Sequence, residues 1–131
     1  SWWIFKTSEV KKYTRTLPFL FLLWLWYTNN MLEMQDIITH KDNGNIFITQ
    51  HCDIRMRDRN ITNDDIYNCI DTGEIIEQYE NDMPLPSCLV CGYSNKRPIH
   101  IVVSDDGSNV YLITAYEPDS DRWKNNYKER K

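Results

Sequence analysis

Several common routes to catalysis are missing from this chain. It has no phosphate-cradling glycine loop, no G-x-S-x-G elbow and no H-E-x-x-H pair. P-loop phosphoryl transfer, α/β-hydrolase chemistry and zincin proteolysis therefore have no motif to rest on. Long apolar runs are also absent. The longest, Leu17 to Tyr27, has eleven residues, a helical rise of about 16 Å, roughly half the thickness of a bilayer core, which argues against a spanning helix. No internal repeat and no low-complexity stretch interrupts the 131 residues, which suffice for one domain with a single modest core.

Positive charge is in short supply. Fifteen Lys and Arg face nineteen Asp and Glu, a formal net charge of −4. Residues 1–30 carry four bases and one acid, whereas residues 31–131 carry eleven bases against eighteen acids, a net of −7. Such a domain is a poor generic binder of nucleic acid, and any RNA contact needs a local basic patch. The four cysteines, Cys52, Cys69, Cys88 and Cys91, neither demand disulfides nor exclude them.

Residues 1–30 stand apart, with a basic start running into the apolar stretch. They are expected to be an extension upstream of the true start, because Met31 or Met34 directly precedes a well-formed domain. A signal peptide or membrane anchor is the alternative, although "YTNN" offers no small-residue cleavage site. The expected location is cytoplasmic, with no membrane partner for residues 31–131; anchoring or secretion would follow only from a genuine 1–30 segment.

From Met31 the pattern predicts an α+β domain. "MLEMQDIITHKDNGN" reads as a short helix ended at Gly44, "NIFIT" as a short strand, and "QHCDIRMRDR" as a helix stopped at Asn60. "TNDDIYNCIDTG" reads as a third helix. Thr62 is its cap, Asp64 and Asp65 sit in its positive first turn, and Ile66, Cys69 and Ile70 form its apolar face. After Gly73 the period becomes two. "EIIEQYE", "SCLVCGY", "IHIVVS" and "NVYLITAY" are expected as a four-stranded antiparallel sheet, and "EPDSDRWKNNYKERK" as a closing helix with Trp123 as core anchor.

The segments "HCDIRMRDRNIT", "GEIIEQY", "PSCLVCGYS", "RPIHIVVS", "ITAYEPD" and "RWKNNYKERK" occur in the order and rough spacing of a bacterial family, domain of unknown function 4258. The chain resembles that family from about residue 34 to its C-terminus. The family in turn is distantly similar to RelE/BrnT-like toxins of toxin–antitoxin systems, small α+β proteins that cleave RNA without a metal. The resemblance implies that fold, RNA as substrate, a cognate antitoxin as partner, and no cofactor. The step from fold to activity is analogy.

Metal-independent RNA cleavage needs a base for the 2′-hydroxyl, an acid for the leaving 5′-oxygen and positive charge around the phosphorane. His51, Arg55 and Arg59 fall at i, i+4 and i+8 of a predicted helix, one stripe that could face a phosphate. The same helix can equally be structural, with Asp53 paired to Arg57, Cys52 and Met56 in the core, and His51 capping. His100 interrupts an apolar strand, where a hydrogen-bonded core residue is the usual occupant, and the resembled family has a histidine at that place. Tyr116 closes the last strand. Arg130 and Lys131 resemble the family's basic C-terminal end and could reach a phosphate or complement a helix terminus. The expected catalytic set is His51, Arg55, His100 and Tyr116, with Arg59, Arg57 and Arg130 binding RNA and no metal. Cys88 and Cys91 make a C-x-x-C, but residues three apart in a strand point to opposite faces, so buried free thiols are expected there. The competing reading is a non-catalytic module of the same fold that binds a protein or nucleic acid.

Overall fold

A computed structural model describes residues 19–131, so the part of the 1–30 extension before Phe19 lies outside the described residues. The chain forms two compact units, one ending at Met31 and the other spanning Leu32–Lys131. In the first, α1 (Phe19–Asn30) is a 12-residue helix. Its Phe19, Leu20 and Trp24 are exposed. No helix among the described residues is long and apolar enough to cross a membrane.

The second unit runs α2 (Met34–Asp42), β1 (Ile46–Ile48), α3 (Gln50–Asp58), α4 (Asn63–Asp71), β2 (Glu74–Tyr79), β3 (Ser87–Ser94), β4 (Arg97–Asp105), β5 (Val110–Tyr116), β6 (Trp123–Lys124) and β7 (Glu129–Arg130). Helix boundaries follow local chemistry. Thr49 Oγ1 accepts the Cys52 amide and caps α3, so His51 is not the cap. Thr62 and Asp65 form a capping box on α4, each side chain accepting the other's amide. Asn60 takes the left-handed stop after α3, at φ 55°. Replacing Thr62 with Ala should lower stability by about 1 kcal/mol, read as a shift in the urea midpoint with an unchanged slope.

The four-stranded antiparallel meander forms as β2–β3–β4–β5, but the sheet has five strands. Short β1 pairs with β5 in parallel, Ile46 opposite Val110 and Ile48 opposite Leu112, giving the order β1-β5-β4-β3-β2. The expected closing helix is instead a β6–β7 hairpin. Asn125, Asn126 and Tyr127 all have positive φ (51°, 58° and 66°). Asn tolerates that region far better than most residues, so the Asn-Asn pair reverses the chain where a helix would have continued.

One face of the sheet carries the core. Ile37 of α2, Cys52 and Met56 of α3, and Ile66, Cys69 and Ile70 of α4 pack on Cys88, Val90, Ile99, Ile101, Val103, Leu112 and Ala115. The other face buries Leu89, Cys91 and His100, which stand outside that cluster. Cys88 and Cys91 thus occupy opposite faces, as strand alternation requires. All four cysteines are free and buried, and burial pushes the Cys88 thiol up to about 12.

Candidate functional site

On the face turned away from the helices, His100 of β4 lies opposite Tyr116 of β5. His100 has no exposed surface. Its Nε2 is 2.7 Å from the Tyr127 carbonyl oxygen and its Nδ1 is 3.2 Å from the Tyr116 hydroxyl. A carbonyl only accepts, so Nε2 carries the proton in the neutral ring and Nδ1 is left to accept from the Tyr116 O–H. The imidazole also meets Tyr116 and Trp123 edge-on, with ring centroids 5.3 and 4.5 Å apart.

Two β-bulges assemble this face. In β5, Val102 pairs with Thr114 and Val103 with Leu112, so Ile113 is an extra residue. Without it, strict alternation would place Tyr116 on the same side as Leu112, in the core. With it, Ala115 points inward and Tyr116 outward beside His100. In β2, Ile75 opposes Val90 and Glu77 opposes Leu89, so Ile76 is the extra residue and Glu77 is turned to the outer face.

Glu77 meets the C-terminal hairpin there. Arg130 donates from Nε to Glu77 Oε2 (2.8 Å) and from Nη2 to Oε1 (2.9 Å), a bidentate pair, and the Tyr79 hydroxyl donates to Glu77 Oε1 (2.8 Å). The Arg130 guanidinium hydrogen bonds hold the Glu77 carboxyl below its usual range. The same guanidinium lies over the Trp123 ring, 4.7 Å from its centroid.

A cavity of about 610 Å³ opens on these groups, lined by Arg59, Arg97, Tyr116, Glu117, Asp119, Arg122, Trp123 and Arg130. Four arginines thus face two acids in a domain whose overall charge is negative. Arg97 bonds Glu117 through Nε (2.8 Å) and the carbonyls of Asn60 and Arg59 through Nη1 and Nη2, closing the C-terminal end of α3. Arg59, held by the Ala115 carbonyl at 2.7 Å, and Arg122 pair with no acid among the described residues. Their charge is available to an anion.

The structure therefore joins Arg59, Tyr116 and Arg130 at one cavity, with His100 directly behind Tyr116. His51, Arg55 and Arg57 do not line it. Cys52 and Met56 turn α3 into the core on the helical side of the sheet, and His51 and Arg55 are exposed on that helix. Only Arg59, the residue after α3, reaches round the end of β5. Arg57 is paired with Asp53 at 2.8 Å, one helical turn away. Sequence reasoning missed Arg97, Arg122, Glu77 and Tyr127. Glu77 carried one usable signal, since a carboxylate inside a half-buried strand requires a basic partner.

Just over half of the chain, residues 48–117, matches the family model described as Domain of unknown function (DUF4258). The chain belongs to this family. The match covers α3 to the end of β5 and includes His100, Tyr116, Arg59 and Arg97, while the C-terminal hairpin with Trp123, Tyr127 and Arg130 lies outside it. No curated protein and no solved structure matches the chain significantly.

Burial holds the His100 imidazole of this DUF4258 domain below its ordinary value of 6.5, only partly opposed by the Tyr127 carbonyl bond and Glu77. Burial likewise raises the Tyr116 phenol. Both groups are neutral at pH 7. Between 6.5 and the lower folded value, the unfolded chain binds more protons than the folded one. The His100 contribution to stability is therefore present above pH 6.5 and lost as pH falls through the folded value. The urea midpoint should drop more steeply from pH 7 to 5 in the wild type than in His100→Gln. Asp105, raised by burial, acts in the opposite sense in both proteins and cancels in the comparison.

Proposed function

We propose that the domain is a metal-independent endoribonuclease of toxin–antitoxin type, with its reaction centred on Tyr116. The observation that carries this reading is the Tyr127 carbonyl–His100–Tyr116 chain opening into a cavity with four arginines. With RNA in the cavity, Tyr116 Oη takes the 2′-hydroxyl proton as its own proton passes to His100 Nδ1. The 2′-oxygen bonds to phosphorus while the bond to the 5′-oxygen breaks. The buried imidazolium, disfavoured by its surroundings, then returns the proton through Tyr116 to the departing 5′-oxygen. A 2′,3′-cyclic phosphate and a 5′-hydroxyl result, and Arg59 and Arg122 offset the charge that develops on the phosphorane.

A second reading, a non-catalytic binding module, is favoured by a specific observation. Both His100 nitrogens are already bonded and the ring is fully buried, as in a structural histidine. Inducing the full chain in bacteria and following growth and total RNA separates the two. Growth arrest with new fragments bearing 2′,3′-cyclic ends supports the nuclease. Intact RNA and normal growth at good soluble expression favour the module.

A further inference from the structure

Arg130 is the one cavity arginine whose charge is matched bidentately by a carboxylate. Its Nε and Nη2 edges are occupied by Glu77, and the Tyr79 hydroxyl bonds the same carboxylate. A phosphate would have to compete with that pair, so Arg130 is badly placed as a phosphate ligand. What it presents is shape. Two bonds from one carboxylate fix the guanidinium plane, one face covers the Trp123 ring at 4.7 Å, and the side chain is 63% exposed at the cavity wall. A flat, weakly hydrated cation backed by an indole is a surface on which another planar ring stacks. Arg59 and Arg122 line the same cavity without a carboxylate partner among the described residues, which suits them to the flanking phosphates.

We propose that the free face of Arg130 is the stacking platform for one nucleobase, and that the cavity therefore takes single-stranded RNA. This rests on the RNA reading above and adds its substrate class. In a duplex the base faces are already stacked on one another, so only an unpaired base can lie on Arg130. Affinity then has two parts: a phosphate part from Arg59 and Arg122 that senses charge alone, and a base part from the Trp123–Arg130 stack that senses a planar ring.

The test measures binding of the full chain to fluorescent 2′-deoxy oligonucleotides of about eight nucleotides, the span of a typical single-strand site, by anisotropy. Lacking the 2′-hydroxyl, these cannot be cleaved by the route above, so the result is independent of catalysis. A base-bearing strand should bind roughly tenfold more tightly than an abasic strand of equal length and charge, and than a duplex of the same sequence. Arg130→Lys, which keeps the charge but loses the plane, should remove that preference and leave abasic binding within about twofold. Equal wild-type binding of base-bearing and abasic strands, no measurable binding of either, tighter binding of the duplex, or an equal loss on both strands in Arg130→Lys would each overturn the proposal. A base preference without RNA cleavage would retain the platform and reject the nuclease. Cleavage without a base preference would do the reverse.

Discussion

Tyr116→Phe should lower RNA cleavage by at least 100-fold while leaving the domain folded. The substitution deletes one hydroxyl from a half-buried ring at the rim of a cavity, so the edge-on packing on His100 is kept. Among the described residues the lost group is the one that links His100 Nδ1 to the cavity. Positioned proton transfer is ordinarily worth 10²–10⁴ in rate, about 3–5 kcal/mol of barrier. Growth arrest on induction should disappear along with the fragments, at unchanged soluble yield and with a loss of unfolding free energy of about 1–3 kcal/mol from the unpaired His100 Nδ1, too small to unfold a typical domain. The double variant His51→Ala plus Arg55→Ala provides the contrast. Both residues are exposed on α3, away from the cavity lining, and cleavage should persist in their absence. Loss of cleavage in that double variant, with Tyr116→Phe still active, would move the chemistry to the α3 stripe and refute the Tyr116 relay.

The contrast between these two variants shows where reading along the chain ran out. Periodicity and capping chemistry located α2, α3 and α4 and the four-stranded meander, because those signals are local: Thr62 before two aspartates, apolar residues at i, i+3 and i+4, alternation after Gly73. The α3 stripe is equally local, and of its residues only Arg59 lines the cavity. Helical spacing tells which residues share a face, but not which face of the sheet that helix covers. His100 is legible as a histidine interrupting an apolar strand and Tyr116 as the end of the last strand, yet their meeting depends on the extra residue at Ile113, which simple alternation does not reveal. The same holds for Glu77 and the bulge at Ile76. The parallel β1–β5 pair and the Arg97 contacts to Arg59 and Asn60 join segments far apart in sequence, and no local pattern encodes them. The C-terminal hairpin departs from the expected helix for a different reason. Its lysines, arginines and acids suit a helix, and the Asn-Asn reversal that overrides them supplies the Tyr127 carbonyl which sets the His100 tautomer.

Gly92→Ala should be among the most destabilising single-methyl changes in the domain. Gly92 lies in β3 where α4 crosses the sheet. A Cβ built there would stand 2.1 Å from the Cys69 carbonyl oxygen and 2.8 Å from the Cys69 Cα. Those are backbone atoms in the last turn of α4, so no side-chain rotation relieves the overlap. Either α4 lifts from the sheet or β3 shifts. Lifting α4 loosens Ile66, Cys69 and Ile70, all fully buried, against Val90 and Ile99. Overpacking of this kind ordinarily costs 1–3 kcal/mol, and a rigid backbone partner places this site at about 3 kcal/mol, a large share of the 5–15 kcal/mol by which a typical domain is stable. Urea unfolding should show a lower midpoint with little change in slope. Gly44 supplies a control of another kind. A Cβ there meets nothing within 4 Å, but its φ of +75° strains any L side chain, so Gly44→Ala should cost about 1 kcal/mol through the backbone alone. If Gly92→Ala proves no worse than Gly44→Ala, the close seating of α4 on β3 is wrong. The seating of Cys91 and Tyr93, neighbours of Gly92 in β3 that bond the Asn126 carbonyl of the C-terminal hairpin, would fall with it.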